Sequence, residues 1–367
     1  MLIQKIKITL LTLFLASLAT ITYAQKFIYD LDFLFFFDNR EYHTPYNSSQ
    51  TLLGTRISPE IGLIITPQEN QTHKLVGGVQ YLQPLNKFKN AKIYPTIYYE
   101  YQNKPFKLLF GAIPYTKLTQ KLPEIYCSDS LSYFYPNIQG ALLQYIGKKG
   151  FIELYCDWYG LQSIETREAF QLMAHGEFRT QYFYTKGYLT LSHLANKAAP
   201  TPRLGVSEKL IVNPIVGINF SSLIPIDSLN IQIGYILSYN RERETHTEIF
   251  HHGFHADFHI QWRFLSFKNS FFYGQNMMPF YNFLGTEFYR GNPFYQSNIY
   301  NRTDIEIHLF RKEFVNCKLS WNIHYTKGYK LGHQQQIILL FDLEKINLST
   351  QCNLQYANPF FSAMLIP

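Results

Sequence analysis

The chain has 367 residues, of which 46% are hydrophobic, 17% are aromatic and only 16% are charged. Its formal net charge of +7 is spread along the sequence, and the lack of a clustered basic patch argues against nucleic acid as a partner. The aromatic content favours β-strands and is typical of proteins that contact a membrane–water interface.

The N-terminus has the pattern of a secretory signal peptide. Lys5 and Lys7 form a positive region, 8–19 is apolar, and Ala24 before Gln25 resembles a small-residue cleavage site. We therefore predict a signal peptide over 1–24. No later apolar run reaches the ~20 residues that a transmembrane helix needs. This leaves two classes, a soluble exported protein and an outer-membrane β-barrel.

Apolar and polar residues alternate along many segments of the mature chain, which is the period of a β-strand. The clearest case is 315–326, where the odd-numbered residues are apolar and the even-numbered ones are polar. The same alternation occurs at 27–35, 152–158, 170–178, 231–239 and 303–309. Long strands with an apolar outer face, a polar inner face and aromatic ends are typical of a transmembrane barrel.

The segment 251–263, HHGFHADFHIQWR, holds four of the 12 histidines. On a helix, the HxxxH spacing would aim two imidazoles at one zinc ion. On a strand, positions four apart stand roughly 13 Å apart, which is too far for a shared ion. We interpret His251, His255 and His259 as one lumen-facing row and predict neither a metal site nor a cofactor.

Short and long connections alternate between the predicted strands. The short ones are 102–105, 147–150, 185–187, 265–269 and 311–314, and the long ones are 39–50, 114–132, 159–168, 195–207, 240–249 and 275–300. This pattern is typical of outer-membrane barrels, which have tight periplasmic turns and longer extracellular loops. We predict an all-β, antiparallel up-and-down barrel of about sixteen strands over 25–345, with fourteen as the alternative. The segment 346–367 is a C-terminal tail or an additional strand.

Several stretches resemble an uncharacterised, porin-like family of outer-membrane β-barrels from Bacteroidota. They are FDNRE at 37–41, SQTL at 49–52, PTIYYEYQ at 95–102, QYIGKKG at 144–150, MPFY at 278–281, GNPFY at 291–295 and YNRTD at 300–304. The resemblance implies the outer membrane of a Gram-negative bacterium as the location. It implies no particular chemistry.

The polar faces of the predicted strands carry charges of both signs. The candidate lumen-lining residues are Asp30, Asp32, Arg56, Glu60, Glu153, Asp157, Glu177, Arg179, His251, His255, Asp257, His259, Arg263, Arg302, Asp304, Glu306, Lys318 and His324. Such a lining would tune the passage of ions or small solutes.

The segment 276–300 is the longest predicted loop and is rich in aromatic residues. Loops longer than about 12–15 residues are usually functional or disordered. This one either folds into the pore and narrows it or packs on itself as an extracellular cap. The constriction candidates are Phe280, Tyr281, Phe288, Tyr289, Arg290, Phe294 and Tyr295.

Three functions compete, and the first is a porin-like channel through which small solutes diffuse without a chemical step. The second is a plugged barrel that docks an envelope lipoprotein or forms a homo-oligomer in the outer-membrane lipid. The third is an outer-membrane hydrolase, which needs Ser, His and an amide or acid near one rim on the lipid side. No serine motif such as G-x-S-x-G occurs, and His175 and His193 are only weak candidates. We therefore expect no catalytic residues and no enzyme.

Overall fold

The computed structural model describes residues 25–85, 88–199 and 205–343. The predicted signal peptide, 1–24, and the predicted tail or extra strand, 346–367, lie outside this part of the chain. In the part that is described, no helix is long and apolar enough to cross a membrane.

Sixteen antiparallel strands form one closed barrel in which each strand pairs with its neighbours in sequence. The strands are β1 Gln25–Glu41, β2 Gln50–Gln68, β3 Gln71–Pro84, β4 Lys92–Asn103, β5 Phe106–Pro114, β6 Asn137–Gly147, β7 Gly150–Gly160, β8 Ala169–Arg179, β9 Phe183–Leu194, β10 Ser207–Asn219, β11 Ser228–Glu242, β12 Thr247–Trp262, β13 Leu265–Gly274, β14 Ile299–Arg311, β15 Val315–Thr326 and β16 Gly332–Asp342. Strand β16 closes the barrel by pairing with β1, from Glu41 opposite His333 to Asp32 opposite Asp342. The prediction of a sixteen-stranded barrel is confirmed, and the closing strand precedes 346–367.

The period-two pattern sets which side chains face the lumen and which face the lipid. In β15, Trp321 and Tyr325 are exposed on the outer face, whereas Asn322 and His324 are buried inside. In the described residues, each strand is hydrogen-bonded to a neighbour on both sides, which closes the barrel and satisfies backbone groups that could not bond to hydrocarbon.

The connections differ in length at the two ends of the barrel. At one end, 69–70, 104–105, 148–149 and 263–264 are tight turns, whereas at the other end 115–136 and 275–298 are long. We call the latter the long-loop end, which is extracellular in barrels of this class.

The two longest connections fold into the lumen. The first contains helix α1, Asp129–Phe134, and its N-cap Ser128 accepts a hydrogen bond from the Leu131 backbone N–H. The second contains α2, Tyr281–Phe288, and a 3-10 turn, Pro293–Gln296. Buried side chains of both connections join the lumen-facing side chains in one hydrophobic cluster. Of the two structures expected for 276–300, the inward fold is the one observed.

The two inserted connections bind each other by backbone hydrogen bonds. The Asn292 N–H donates to the Glu124 carbonyl at 2.7 Å, and the Ser128 N–H donates to the Arg290 carbonyl at 3.0 Å. Gly291 lies between them, where a Cβ atom would stand 2.0 Å from the Ile125 carbonyl oxygen. Only glycine allows this approach, and together the two connections form one unit, the lumen plug (115–136 and 275–298).

Candidate functional site

Seventeen of the predicted lumen-lining residues lie on inward-facing positions of the strands. They are Asp30, Asp32, Arg56, Glu60, Glu153, Asp157, Glu177, Arg179, His251, His255, Asp257, His259, Arg302, Asp304, Glu306, Lys318 and His324. Arg263 departs from the prediction because β12 ends at Trp262. Arg263 occupies the following turn with φ +53°, and its guanidinium lies over the Trp262 ring.

The inward charges are largely paired. Glu306 contacts Lys268 at 2.8 Å and Lys318 at 2.5 Å. Glu153 contacts His175 at 2.8 Å, so His175 is buried inside the barrel and cannot reach a lipid. Buried charges need such partners to offset the cost of their desolvation. The paired charges of the lining therefore serve largely to stabilise the barrel interior.

Histidines of the β12 row lie within hydrogen-bond distance of neighbouring side chains. His255 bridges Asp257 and Asn213, each at 3.0 Å, and His259 Nε2 lies 3.2 Å from the Ser266 hydroxyl. Within the described ranges, one cluster has the geometry for a metal ion, formed by Asp30, Asp32 and Asp342.

The constriction candidates anchor the plug to the wall. Arg290 binds Asp157 of β7 at 2.5 Å, and the Tyr289 hydroxyl donates to Asn240 of β11 at 3.1 Å. Phe294 stacks on His324 with ring centroids 4.8 Å apart. The remaining candidates, which all lie in or beside α2 and the 3-10 turn, are Phe280, Tyr281, Phe288 and Tyr295.

Arg302 joins the wall to both halves of the plug. Its Nη1 lies 3.1 Å from Glu124 and 3.2 Å from Asp129, and its Nε lies 2.7 Å from Asp304. Burial and the nearby Asp129 carboxylate raise the pKa of Glu124 to about 7. Burial also penalises the Asp129 carboxylate, but Arg302 and Lys121 outweigh it and hold the Asp129 pKa well below its usual value.

The raised pKa of Glu124 predicts a plug that loosens as the pH rises. Its protonated form stabilises the docked plug, and this contribution is complete below the usual pKa of 4.5 and is lost as the pH passes through about 7. We expect the Ser128 and Asn292 amides to exchange with solvent about tenfold faster at pH 8 than at pH 5, after correction for intrinsic exchange. Hydrogen exchange measures this, with Glu124→Gln as the control that should not respond. Equal pH responses in both proteins would contradict the assignment.

A different set of polar side chains lies on the lipid-facing side of the long-loop end. Asn39 and Glu41 end β1, Thr51 begins β2, and His333 and Gln335 begin β16. Strand register brings them together, since Asn39 pairs with both Thr51 and Gln335 and Glu41 pairs with His333. We call these five residues the β1 rim cluster.

Hydrogen bonds fix the amide at the centre of the β1 rim cluster. The Thr51 hydroxyl donates to Asn39 Oδ1 at 2.8 Å. Asn39 Nδ2 donates to Gln335 Oε1 at 2.8 Å and to Glu41 Oε1 at 3.0 Å. The amide plane is thus held from three sides, while Gln335 keeps its Nε2 donor for another acceptor.

His333 is the imidazole of the β1 rim cluster, and among the described residues one of its ring nitrogens lacks a hydrogen-bond partner. Its Nδ1 is buried and has no hydrogen-bond partner in the described structure. Its ring lies 5.8 Å from that of Trp321, and strand register places Glu41 directly opposite His333. A buried, unpartnered nitrogen costs free energy unless something binds it.

An apolar row lies directly below this cluster on the same outer face. Phe37 pairs with Leu53 on one side and with Ile337 on the other. Rows on one face are two residues apart, or about 6.6–6.8 Å along the strand. A lipid lying against the wall would therefore place its acyl chains on the apolar row and its headgroup at the β1 rim cluster.

A second polar group occupies the outer face of the same end on the opposite wall. His193, Glu208 and Arg241 are neighbours on β9, β10 and β11. The Nε of Arg243, which follows β11, donates to the Glu208 carboxylate at 3.3 Å. His193 Nδ1 lies 3.8 Å from the same carboxylate, and the His193 ring stacks on Phe170. This β10 rim cluster, His193, Glu208, Arg241 and Arg243, has its carboxylate neutralised by arginine.

A family model described as lipid A 3'-O-deacylase-type matches residues 20–364. The chain belongs to this deacylase-type family. A search of the curated proteins finds no match.

Solved barrels share the fold of this family member. They include an outer-membrane protein of Vibrio cholerae, OmpT lacking loop L8, with 8% identity and a TM-score of 0.52 over 87% of this chain and 100% of that chain. OmpF of Salmonella typhi, solved with daunomycin, has 11% identity and a TM-score of 0.50 over 88% of this chain and 99% of that one. OpdL of Pseudomonas aeruginosa has 10% identity and a TM-score of 0.50 over 86% and 98%. At these identities the likeness concerns the fold, an outer-membrane β-barrel.

The expectation that the protein is not an enzyme is wrong, because the family that covers nearly the whole chain is described as a deacylase type. Sequence reasoning also missed the β1 rim cluster. Its members are spread from 39 to 335, and only strand register joins them. The requirement stated for a hydrolase was Ser, His and an amide or acid near one rim on the lipid side, and the β1 rim cluster departs from it by having Thr51 instead of serine.

Proposed function

We propose that the protein is an outer-membrane hydrolase that releases an O-linked acyl chain from lipid A in the outer leaflet. The observation that carries the proposal is the β1 rim cluster. It places a carboxylate, an imidazole, two amides and a hydroxyl on the lipid-facing side of the long-loop end. The family description supports the same chemistry.

The residues suit a water-mediated reaction. His333 takes a proton from water, and the water oxygen attacks the ester carbonyl carbon. Glu41 stabilises the imidazolium that forms, and the Gln335 amide donates to the developing oxyanion. The tetrahedral intermediate then collapses, the sugar oxygen leaves with the proton from His333, and a free fatty acid is released.

Asn39 and Thr51 position this machinery. Their hydrogen bond, together with that from Asn39 to Glu41, fixes the carboxylate that faces His333. Such a second layer of contacts holds catalytic groups in a productive geometry. The apolar row at Phe37, Leu53 and Ile337 supplies the surface for the acyl chain.

One observation favours passage of small solutes as a second candidate function. Lys121 lies on the inserted connection 115–136, yet its side chain is 70% exposed. Solvent-accessible space therefore lies beside the plug, and a narrow, charged space of this kind suits the passage of ions.

The experiment for the proposed hydrolase uses purified protein in vesicles that contain lipid A. We expect mass spectrometry to show lipid A that has lost one O-linked acyl chain, with an equal amount of free fatty acid. Glu41→Gln keeps the size of the side chain and removes the charge, so it should release far less fatty acid. Intact lipid A after prolonged incubation with folded wild-type protein would refute the proposal.

A further inference from the structure

A pocket lies on the inner side of the same stretch of wall that carries the β1 rim cluster. Alternation along β1, β2 and β16 turns Arg40, Gln50 and Gln334 inward, next to the outward-facing Asn39, Thr51 and Gln335. The first three side chains line a cavity of about 330 Å³ that the plug closes from below. We call it the mouth pocket, and a wall one strand thick separates it from the proposed reaction site.

The polar lining of the mouth pocket is fixed in place. Arg40 binds Asp38 through Nη2 at 2.7 Å and the Ser130 hydroxyl through Nη1 at the same distance. Gln334 Nε2 donates to Asp38 at 2.9 Å and lies 3.4 Å from Asp129. Because the charge of Arg40 is paired with that of Asp38, the lining offers hydrogen-bond donors and acceptors to a ligand without a strong electrostatic field of either sign.

Aromatic rings complete the mouth pocket. Tyr42, Phe134 and Tyr281 lie among the lining residues. Ring faces bind the apolar faces of flat, polar ligands, while amides and hydroxyls bind their edges. The volume falls within the 300–1,000 Å³ usual for small-molecule sites. A charge-balanced pocket with fixed hydrogen-bonding groups and aromatic walls suits a saccharide better than an anion, a cation or an acyl chain.

We propose that the mouth pocket binds the saccharide that extends from the headgroup of the outer-leaflet glycolipid, while its acyl chains lie on the outer face. This inference rests on the proposed function, because it assumes that lipid A is held at the β1 rim cluster. The connection 327–331 between β15 and β16 is short, and in this proposal the headgroup crosses the wall beside it. The same chemistry would also accept a free oligosaccharide.

Calorimetry with two probes tests the proposal without requiring turnover. One probe is lipid-free core oligosaccharide released from lipopolysaccharide by mild acid, and the other is maltopentaose. We expect the core oligosaccharide to bind, and Tyr281→Ala and Gln50→Ala each to weaken it at least about tenfold. His193→Ala, on the opposite outer wall, should leave binding unchanged. Failure of the core oligosaccharide to bind, or binding of maltopentaose alone, would overturn the assignment to the glycolipid headgroup.

Kinetics separate this inference from the proposed function. In Tyr281→Ala, kcat/KM should fall about tenfold for complete lipopolysaccharide and stay unchanged for free lipid A. An equal fall for both substrates would contradict saccharide binding. If neither substrate is hydrolysed by wild-type protein while the core oligosaccharide still binds the pocket, the hydrolase proposal fails and the saccharide site stands.

Discussion

His333→Ala should lower kcat for release of the acyl chain from lipid A by about 10²–10⁴-fold, the range that a positioned general base contributes. His333 is the imidazole of the β1 rim cluster, and its buried Nδ1 has no partner. Alanine removes the proton acceptor while the neighbouring amides and the apolar row remain. Binding of lipid A should therefore change little, and KM should stay close to that of the wild-type protein.

His193→Ala is the matched control for this variant. His193 also lies on the outer face of the long-loop end, beside a carboxylate. Since Arg243 already engages that carboxylate, loss of this imidazole should leave kcat unchanged. Equal losses in the two variants would show a general effect of histidine removal at the rim. Full activity of His333→Ala would remove the β1 rim cluster from the mechanism.

Arg302→Met should destabilise docking of the lumen plug by about 3–5 kcal/mol, the usual cost of breaking a buried ion pair from one side. Arg302 is 8% exposed and is the cation shared by Glu124, Asp129 and Asp304. Methionine keeps much of the packing volume and leaves the carboxylates facing each other. The plug should then leave the lumen more often, and single-channel conductance in planar bilayers should rise.

Arg179→Met is the control for the loss of an arginine. Arg179 also binds a carboxylate, Glu177, at 2.7 Å, but its side chain is 38% exposed. Solvent-screened pairs contribute about 0–1 kcal/mol, so its conductance should match the wild type. A conductance in Arg302→Met that equals this control would show that other contacts hold the plug.

The fold was accessible from the sequence because a barrel strand repeats a simple local pattern. Alternation in 315–326 predicts the outward row of β15, and the same logic assigns His251, His255 and His259 to one inward row. The alternation wrongly predicted Arg263 to face the lumen, because it does not show where a strand ends and the backbone turns. The closing strand was also ambiguous locally, because the pairing of β16 with β1 joins the two ends of the chain.

The candidate site was harder to predict from the sequence than the fold, because its residues are distant from one another in the chain. Asn39, Thr51 and His333 each look like ordinary polar residues near a loop. They become a site only when register aligns β16, β1 and β2, and contacts between residues nearly 300 positions apart leave no local pattern. The lumen plug is similar, because the approach of Gly291 to Ile125 requires two separate connections to enter the barrel together.

The central claim is that the protein hydrolyses an ester of lipid A by attack of water on the acyl carbonyl, and its most direct test is the reaction in water enriched in oxygen-18. If water attacks the ester carbonyl at the β1 rim cluster, each released fatty acid carries one oxygen-18 atom and the deacylated lipid A carries none. Mass spectrometry of both products reads this directly. Release of unlabelled fatty acid, or of none, would contradict the account.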